Sequence, residues 1–275
     1  MKKLLLSEFK ACFYILSSIF VCACLLLGLT ACKSSPELSN FVSEFRSNIY
    51  TAQNQTVSLT AYLCEKENPY AADGIKANMT NYLHVRLFCE DNTRDYSVFT
   101  DVIKNGKTER EGGECNFDNL QKCFSLTLNA STQAKEQIVF YVSDGENQFT
   151  LTARSVIQGE ILDLKHITDC VYGIEKDYID RLTSGVNFLG EFHIRLLCEQ
   201  DDLFYYVGII GKDKTHLALL IDAVDGQLIS KKVIAYIISN ASQGRLCFLL
   251  IQVNAIAVRL KSQPKWNFER KGIRP

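Results

Sequence analysis

Residues 57–63 read Val-Ser-Leu-Thr-Ala-Tyr-Leu, so apolar side chains alternate with small or polar ones. Successive side chains of a β-strand point to opposite faces of the sheet, and this period of two is typical of a half-buried strand. The alternation recurs over residues 83–89 and 124–128. Turn sequences separate the stretches, at Asp73-Gly74, Asn105-Gly106, Gly112-Gly113 and Asp144-Gly145. Residues 55–158 are therefore predicted to form several short strands.

The spacing of these strands predicts a β-sandwich domain over residues 55–158, with an immunoglobulin-like architecture. The Cys-Trp-Cys pattern of true immunoglobulin domains is absent, because the only tryptophan is Trp266. In the next predicted domain, 159–235, apolar residues advance by threes and fours from Leu164 to Leu182, which predicts a helix. Strand-like segments follow at 192–198, 204–210, 217–221 and 227–233. The predicted class is mainly β, with an α+β second module made of a helix and an antiparallel meander.

The segments that flank these two regions have a different character. Residues 32–54 are predicted to be a polar tether followed by a short amphipathic helix over 37–49, where the apolar side chains form one helical stripe. Residues 236–275 contain an apolar stretch and then a basic one. Two interpretations of this tail stay open: a final strand with a basic peptide that meets anionic lipid headgroups or wall polymers, or an extension outside the fold. Its lack of periodicity favours the second.

The chain carries 30 basic and 31 acidic side chains, but the charges are unevenly distributed. Residues 1–31 have a net charge of +2, residues 32–235 of −9 and residues 236–275 of +6. An overall basic nucleic-acid-binding protein is therefore excluded, and no nucleic-acid partner is expected. Only 15 Gly and 4 Pro accompany an apolar content of 47%, which also excludes collagen-like and wholly disordered chains.

The amino end has the layout of an export signal. Three lysines, at positions 2, 3 and 10, precede residues 11–31, which carry no charged side chain. The run ends in Leu29-Thr30-Ala31-Cys32, and these residues resemble the lipobox of bacterial lipoprotein precursors. The resemblance implies that residues 1–31 are a signal peptide removed before Cys32, and that the Cys32 sulfur carries a diacylglycerol. Several acyl chains, such as palmitate, make a durable membrane anchor, whereas one chain is marginal.

Two alternatives for the amino end stay open. An apolar run of this length is also long enough to span a bilayer as an uncleaved helix, with the lysines inside and the rest of the chain outside. A eukaryotic secreted protein is the other alternative, because four Asn-X-Ser/Thr tripeptides match the glycosylation acceptor, at Asn54, Asn78, Asn129 and Asn240. The tripeptide is short enough to recur by chance, so we favour the lipoprotein.

Seven cysteines follow Cys32, and an exported location permits disulfides among them. Cys115 and Cys123 are the predicted pair, because the loop between them is easily closed. Buried unpaired thiols are an equally good interpretation of the set. Cys89 and Cys198 are expected on the apolar faces of their strands, with His84 and His193 on the opposite, solvent-facing sides.

No metalloprotease, hydrolase or nucleotide-binding motif is found: the sequence contains no HExxH, GxSxG, GxGxxG or P-loop. We therefore expect no cofactor. Glu199, Asp201, Asp202 and Asp213 could hold a divalent cation, but a solvated hairpin loop is the better interpretation, since no EF-hand spacing accompanies them. In the stretch Phe204-Tyr205-Tyr206, alternation places one tyrosine in the core and the other on the sheet surface. A ligand-binding stripe there is not excluded.

Two weaker patterns concern the second half of the chain. Residues 219–228 resemble the sheet of PepSY-type domains, in which a strand ending in Asp-Ala leads to a Gly turn. This resemblance implies an inhibitory or binding role outside the membrane. Residues 192–199 also match residues 83–90 at five of eight positions. Because the flanking patterns differ, two unlike domains are favoured over a duplication.

These observations predict a lipid-anchored bacterial lipoprotein at the extracytoplasmic face of the cell membrane. We expect it to act as a binding or interaction module rather than an enzyme. Its partners would be the membrane, through Cys32, and an envelope protein or polymer. The alternative is an envelope hydrolase with an unrecognised carboxylate or Cys/His site. Acidic or Cys/His groups converging in a deep pocket would favour the hydrolase, and a shallow apolar or aromatic patch would favour binding.

Overall fold

The computed structural model describes residues 36–70, 78–104, 106–129, 135–212 and 215–235. These residues are mainly β, which confirms the mainly-β part of the predicted class. The strands in chain order are β1 (Val42–Gln53), β2 (Val57–Glu67), β3 (Met79–Cys89), β4 (Ser97–Lys104), β5 (Lys107–Glu114), β6 (Asn116–Asp118), β7 (Cys123–Asn129), β8 (Gln137–Ser143), β9 (Gln148–Ser155), β10 (Thr183–Ser184), β11 (Asn187–Phe188), β12 (Gly190–Glu199), β13 (Asp202–Gly211), β14 (Thr215–Asp222) and β15 (Leu228–Ala235). The helices are a 3-10 turn (Leu38–Phe41), α1 (Leu164–Ile174) and α2 (Lys176–Arg181).

One large sheet contains all of these strands except the β10–β11 hairpin. Its main path runs β15-β14-β13-β12-β1-β2-β3-β7-β6, and a branch from β1 continues through β9, β8, β4 and β5. Of the strand pairs found, β1 with β12 is parallel and the others are antiparallel. Strand β1 is therefore the junction on which the architecture depends.

The predicted helix over residues 37–49 is wrong, because all but the first turn of this segment belongs to β1. Register shifts occur between Val42 and Glu44 and between Arg46 and Asn48. Each such irregularity inserts a residue and interrupts the alternation of side chains. Apolar residues in this strand consequently recur at steps of three and four, which imitates the stripe of a helix.

The buried apolar side chains form two main clusters. The first is built from β2, β3, β7, β4, β8 and β9, and the second from β12, β13 and β14 together with the helices. Strand β1 contributes to both, since Tyr50 belongs to the first cluster and Val42 and Ile49 to the second. The two predicted regions thus share one sheet through β1, and the boundary at residue 158 stays a prediction.

The long predicted helix is divided in two. Helix α1 begins where the Asp163 carboxylate accepts a hydrogen bond from the backbone N–H of His166 at 2.8 Å. A carboxylate at this position satisfies one of the free N–H groups of the first turn. Ile167 and Val171 then face the core. The backbone leaves helical geometry at Glu175, and the shorter α2 follows.

The strand directions define two ends of the second cluster. Gly190 pairs with Gly211 at one end of the β12–β13 hairpin, and Glu199 pairs with Asp202 at the other. Because β1 is parallel to β12 and Val42 pairs with Phe192, the chain enters the sheet beside Gly190. We call this the entry end and the opposite one the far end. A ten-residue strand separates them by about 30 Å.

Candidate functional site

A group of hydrogen-bonded polar side chains surrounds Glu191, beside the parallel pair β1–β12. Its carboxylate accepts hydrogen bonds from the Ser43 hydroxyl at 2.8 Å and from the Tyr70 hydroxyl at 2.5 Å. His193 Nε2 lies 3.6 Å from the same carboxylate and 3.4 Å from the Tyr70 oxygen. The four side chains come from β1, β12 and the segment after β2, so only the tertiary fold brings them together. We call them the Glu191 cluster.

The surroundings of Glu191 stabilise its charged form. Burial acts to raise the pKa of this carboxyl, but hydrogen bonds from His193, Tyr70 and Ser43 outweigh burial, and the pKa is lowered overall. Burial raises the pKa of Tyr70, and the Glu191 carboxylate raises it further. Burial also lowers the pKa of nearby His216. Glu191 is consequently an ionised hydrogen-bond acceptor at neutral pH.

A buried ion pair lies on the same two strands. The Arg195 guanidinium donates to both carboxylate oxygens of Glu44, from Nε at 2.7 Å and from Nη2 at 3.0 Å. Burial acts to raise the pKa of Glu44, yet the Arg195 hydrogen bonds outweigh it and hold the pKa below its ordinary value. The bidentate ion pair joins β1 to β12 and stabilises the pairing of these two parallel strands.

The structure corrects two predictions about side-chain direction. His193 was expected to face solvent, but only 7% of its side chain is exposed. One of Tyr205 and Tyr206 was expected on the sheet surface, but both are buried. Tyr205 packs in the second cluster, and Tyr206 packs with Ala218 and Leu197 on the other side. Alternation still holds in these strands, but side chains cover both faces of the sheet here.

The chemistry available to the Glu191 cluster is limited by its geometry. A serine nucleophile needs a base of suitable pKa within hydrogen-bond reach of its hydroxyl. Ser43 donates to Glu191, and a carboxylate whose pKa is lowered is a weak base at neutral pH. The arrangement thus resembles a structural hydrogen-bond network more than an activated nucleophile.

The predicted Cys115–Cys123 disulfide is not formed, because both residues are free thiols in the structure. Cys123 pairs with Asp118 across the β6–β7 hairpin, three residues along the chain from Cys115. That offset is about 10 Å along a strand, beyond the span of about 7 Å that a disulfide bridges. Burial, and then the neighbouring Cys89, raises the pKa of Cys115 to about 12. Cys89 and Cys198 both pack against apolar clusters, as predicted.

An open groove lies at the end of β1, formed by the β1–β2 turn and the adjoining end of β3. Its volume is about 400 Å³, and it is lined by residues 53–58 together with Phe88, Cys89, Glu90 and Lys122. The Phe88 ring is 40% exposed beside it. The turn is well ordered, since the Asn54 side-chain oxygen accepts from the backbone N–H groups of Thr56 and Val57, each at 2.9 Å. We call this the β1–β2 groove.

A second pocket, of about 330 Å³, lies at the entry end and is lined by Tyr178, Arg181, Leu182, Leu189 and Lys212. Backbone hydrogen bonds join its walls, from Leu189 N–H to the Leu182 carbonyl at 2.7 Å and from Lys212 N–H to the Leu189 carbonyl at 2.9 Å. These hydrogen bonds hold the backbone of Leu182, Leu189 and Lys212 together, so the basic and apolar side chains of the pocket lie side by side. The sequence signal for this pocket was weak, because its residues are spread over three separate segments.

The remaining predicted sites have simpler outcomes. Asp201 has a positive φ of 72° in the tight β12–β13 turn, and Asp213 lies outside the described residues. Across the described ranges, no group of three or more His, Cys, Asp or Glu side chains is placed to hold a metal ion. Cys32, the signal segment and the tail 236–275 also lie outside them. Within the part that is described, no helix is both long and apolar enough to cross a bilayer.

Comparison with protein-family models, with curated proteins and with solved structures finds no match for this chain.

Proposed function

We propose that the protein is a lipid-anchored lipoprotein of the extracytoplasmic face that binds an envelope polymer in the β1–β2 groove. The observation that carries the binding role is this open groove with its exposed Phe88 ring. The lipobox Leu29-Thr30-Ala31-Cys32 supports the anchor. Membrane attachment would keep the protein beside the polymer that it binds.

The lining of the groove favours a hydroxyl-rich ligand such as a glycan strand. Gln53 and Gln55 offer amide donors and acceptors, and Thr56 and Ser58 offer hydroxyl groups. Phe88 adds a flat apolar surface beside these polar groups. Ligand sites typically combine such an apolar surface with a few fixed polar groups. The hydrogen-bonded Asn54 turn holds the site in place before the ligand arrives, which lowers the entropic cost of binding.

The anchor is tested by Cys32→Ser in the full-length precursor. The wild-type protein is expected in the membrane fraction, with a mass increase at Cys32 that matches a lipid. The serine variant is expected to lose both, because it lacks the sulfur nucleophile. An unmodified Cys32 in the mature protein, or membrane attachment that survives the substitution, would overturn the anchor.

The ligand is tested with purified glycan polymer from the cell envelope. Phe88→Ala is expected to weaken co-sedimentation with the polymer by at least 10-fold, the equivalent of about 1.4 kcal/mol. Ile103→Ala is the matched control, because Ile103 is similarly exposed on a different hairpin, β4–β5. Equal binding by both variants and the wild type would refute the groove as the binding site.

The finer architecture is also part of the proposal. We propose that the first region is a β-sandwich, because its apolar cluster joins side chains of two strand sets. Leu59 and Val85 come from the main path, and Val98, Phe140 and Leu151 come from the branch. The PepSY-like resemblance of residues 219–228 stays a prediction, and it agrees with a binding role.

An envelope hydrolase is the second candidate, favoured by the convergence of Ser43, His193 and Glu191. Hydrolysis of a fluorogenic ester that Glu191→Gln abolishes, while the variant keeps the wild-type melting temperature, would establish it. Absence of hydrolysis by the wild-type protein across esters and amides would exclude this candidate for those substrates.

A further inference from the structure

The entry end carries an exposed apolar hairpin beside two basic side chains. Val186 is at the tip of the β10–β11 hairpin and is 61% exposed, and Leu189, which follows the hairpin, is 40% exposed. Arg181 and Lys212 line the adjacent pocket, and neither forms an ion pair with any residue that the structure describes. We call these four residues the entry patch. Apolar side chains at a tip, flanked by cations, suit an interface between water and an anionic lipid surface.

The entry patch lies within reach of the proposed anchor. The Phe41 ring contacts the Phe188 ring at 5.7 Å between centroids, and Phe188 belongs to the same hairpin as Val186. From Phe41 back to Pro36 the chain spans at most about 13 Å, by the rise of a 3-10 turn and of an extended chain. Cys32 is four residues further, at most about 14 Å away. A lipid on Cys32 therefore keeps the membrane surface close to this hairpin.

The distribution of charge also favours an orientation in which the entry end faces the membrane. The far end of the meander is acidic and exposed, with Glu199, Asp201, Asp202 and Asp225. It lies about 30 Å from the entry end. This distance exceeds the Debye length of about 8 Å at physiological salt, so the acidic residues are screened from the membrane when the entry end faces it. An anionic membrane repels the acidic far end when that end approaches it, and it attracts the basic side chains of the entry patch. The orientation with the entry patch toward the membrane is therefore favoured. The β1–β2 groove follows the end of β1, the strand that starts at the entry end, and it therefore lies at the opposite end of that strand.

We propose that the entry patch docks on the anionic membrane surface that holds the Cys32 anchor, with Val186 inserted to the boundary between headgroups and acyl chains and Arg181 and Lys212 facing lipid phosphates. The inference rests on the proposed lipid anchor. Docking would fix the orientation of the protein relative to the membrane, and it would place the β1–β2 groove on the side of the envelope polymer.

The experiment measures tryptophan depth in the mature chain that is purified after expression of the full-length precursor. The native Trp266 is replaced by Phe, and one new tryptophan is introduced, either Val186→Trp or Val224→Trp. Val224 is the matched control, because it is 63% exposed and lies after β14 at the far end. Each protein is placed in phosphatidylcholine–phosphatidylglycerol vesicles with brominated acyl chains, which quench a tryptophan only where it contacts them.

We expect a blue shift and a loss of emission at position 186 and neither at position 224. Adding Arg181→Glu and Lys212→Glu is expected to reverse the effect at position 186, because two attractive charges become repulsive. Vesicle flotation of the same samples tests the anchor independently. A protein that floats without quenching at position 186, or with equal quenching at both positions, overturns the docking proposal and leaves the anchor intact. A protein that does not float, with Cys32 unmodified, overturns the anchor instead.

Discussion

Glu44→Gln tests whether the buried ion pair holds β1 against β12. The substitution preserves the size of the side chain but removes the charge that faces the buried Arg195 guanidinium from β1. Only 15% of the Arg195 side chain and 10% of the Glu44 side chain are exposed. Breaking a buried pair by removing one partner costs about 3–5 kcal/mol. We take the lower value, about 3 kcal/mol, because a neutral amide still accepts one hydrogen bond.

The assays are urea unfolding and thermal unfolding at pH 7, each followed by circular dichroism. A loss of about 3 kcal/mol lowers the melting temperature by about 6–12 °C in a fold of this size. The double variant Glu44→Leu/Arg195→Met is expected to recover most of the loss, because it removes both charges together. The control is Asp169→Asn, which breaks the exposed Lys165–Asp169 pair. It is expected to leave the free energy of unfolding unchanged within the error of the measurement.

The pH dependence of stability is a second measurement of the same pair. Because the folded pKa of Glu44 is lowered, the folded state holds the proton less tightly than the unfolded state. The contribution is fully present above the unfolded pKa of about 4.3 and is lost as pH falls through the folded value. The difference between wild type and Glu44→Gln should therefore shrink below pH 4. A difference below about 1 kcal/mol at pH 7, or one that grows on acidification, would refute the reasoning.

Two further predictions concern β3 and the β4–β5 hairpin. Partial burial, and then Arg86, lowers the pKa of the half-buried His84 to about 4, so its ring resonance should titrate near pH 4 in NMR spectra. A midpoint near 6.5 would contradict this pKa shift. Gly112→Ala should destabilise the fold by about 3 kcal/mol in urea unfolding, because overpacking against rigid atoms is costly. Its Cβ would lie 2.1 Å from the Val98 carbonyl oxygen, whereas a Cβ at Gly113 meets nothing within 4 Å. Gly113→Ala should therefore match the wild type, and equal losses would disprove the assignment of the clash.

Local sequence patterns predicted most strands, but they did not predict which strand faces are covered by other parts of the chain. The alternation over 57–63 and 83–89 corresponds to β2 and β3, because such strands expose one face more than the other. The same argument failed for His193 in β12, where Tyr70 covers one side of the strand and the second apolar cluster covers the other. A period-two pattern indicates that one face of a strand is more apolar than the other. It cannot show that a polar side chain on the less apolar face is buried among hydrogen-bond donors.

The candidate sites were less predictable than the strands. Ser43 and Glu191 are 148 positions apart in the chain, and they meet only because β1 pairs with β12. The β1–β2 groove is more local, since residues 53–58 line much of it. Yet the sequence shows no distinctive motif there, because amide and hydroxyl side chains are also common in ordinary turns.

The sequence by itself determined the mainly β class, the positions of β2, β3 and β7, the start of the helical segment and the candidate anchor at Cys32. These are properties of short stretches, where period, turn residues and local charge act within a few positions. Only the tertiary structure decided that residues 42–53 form a strand, that Cys115 is too far from Cys123, and which residues surround Glu191. The reason is physical: strand pairing between distant segments depends on burial summed over the whole sheet, and no local window contains that sum.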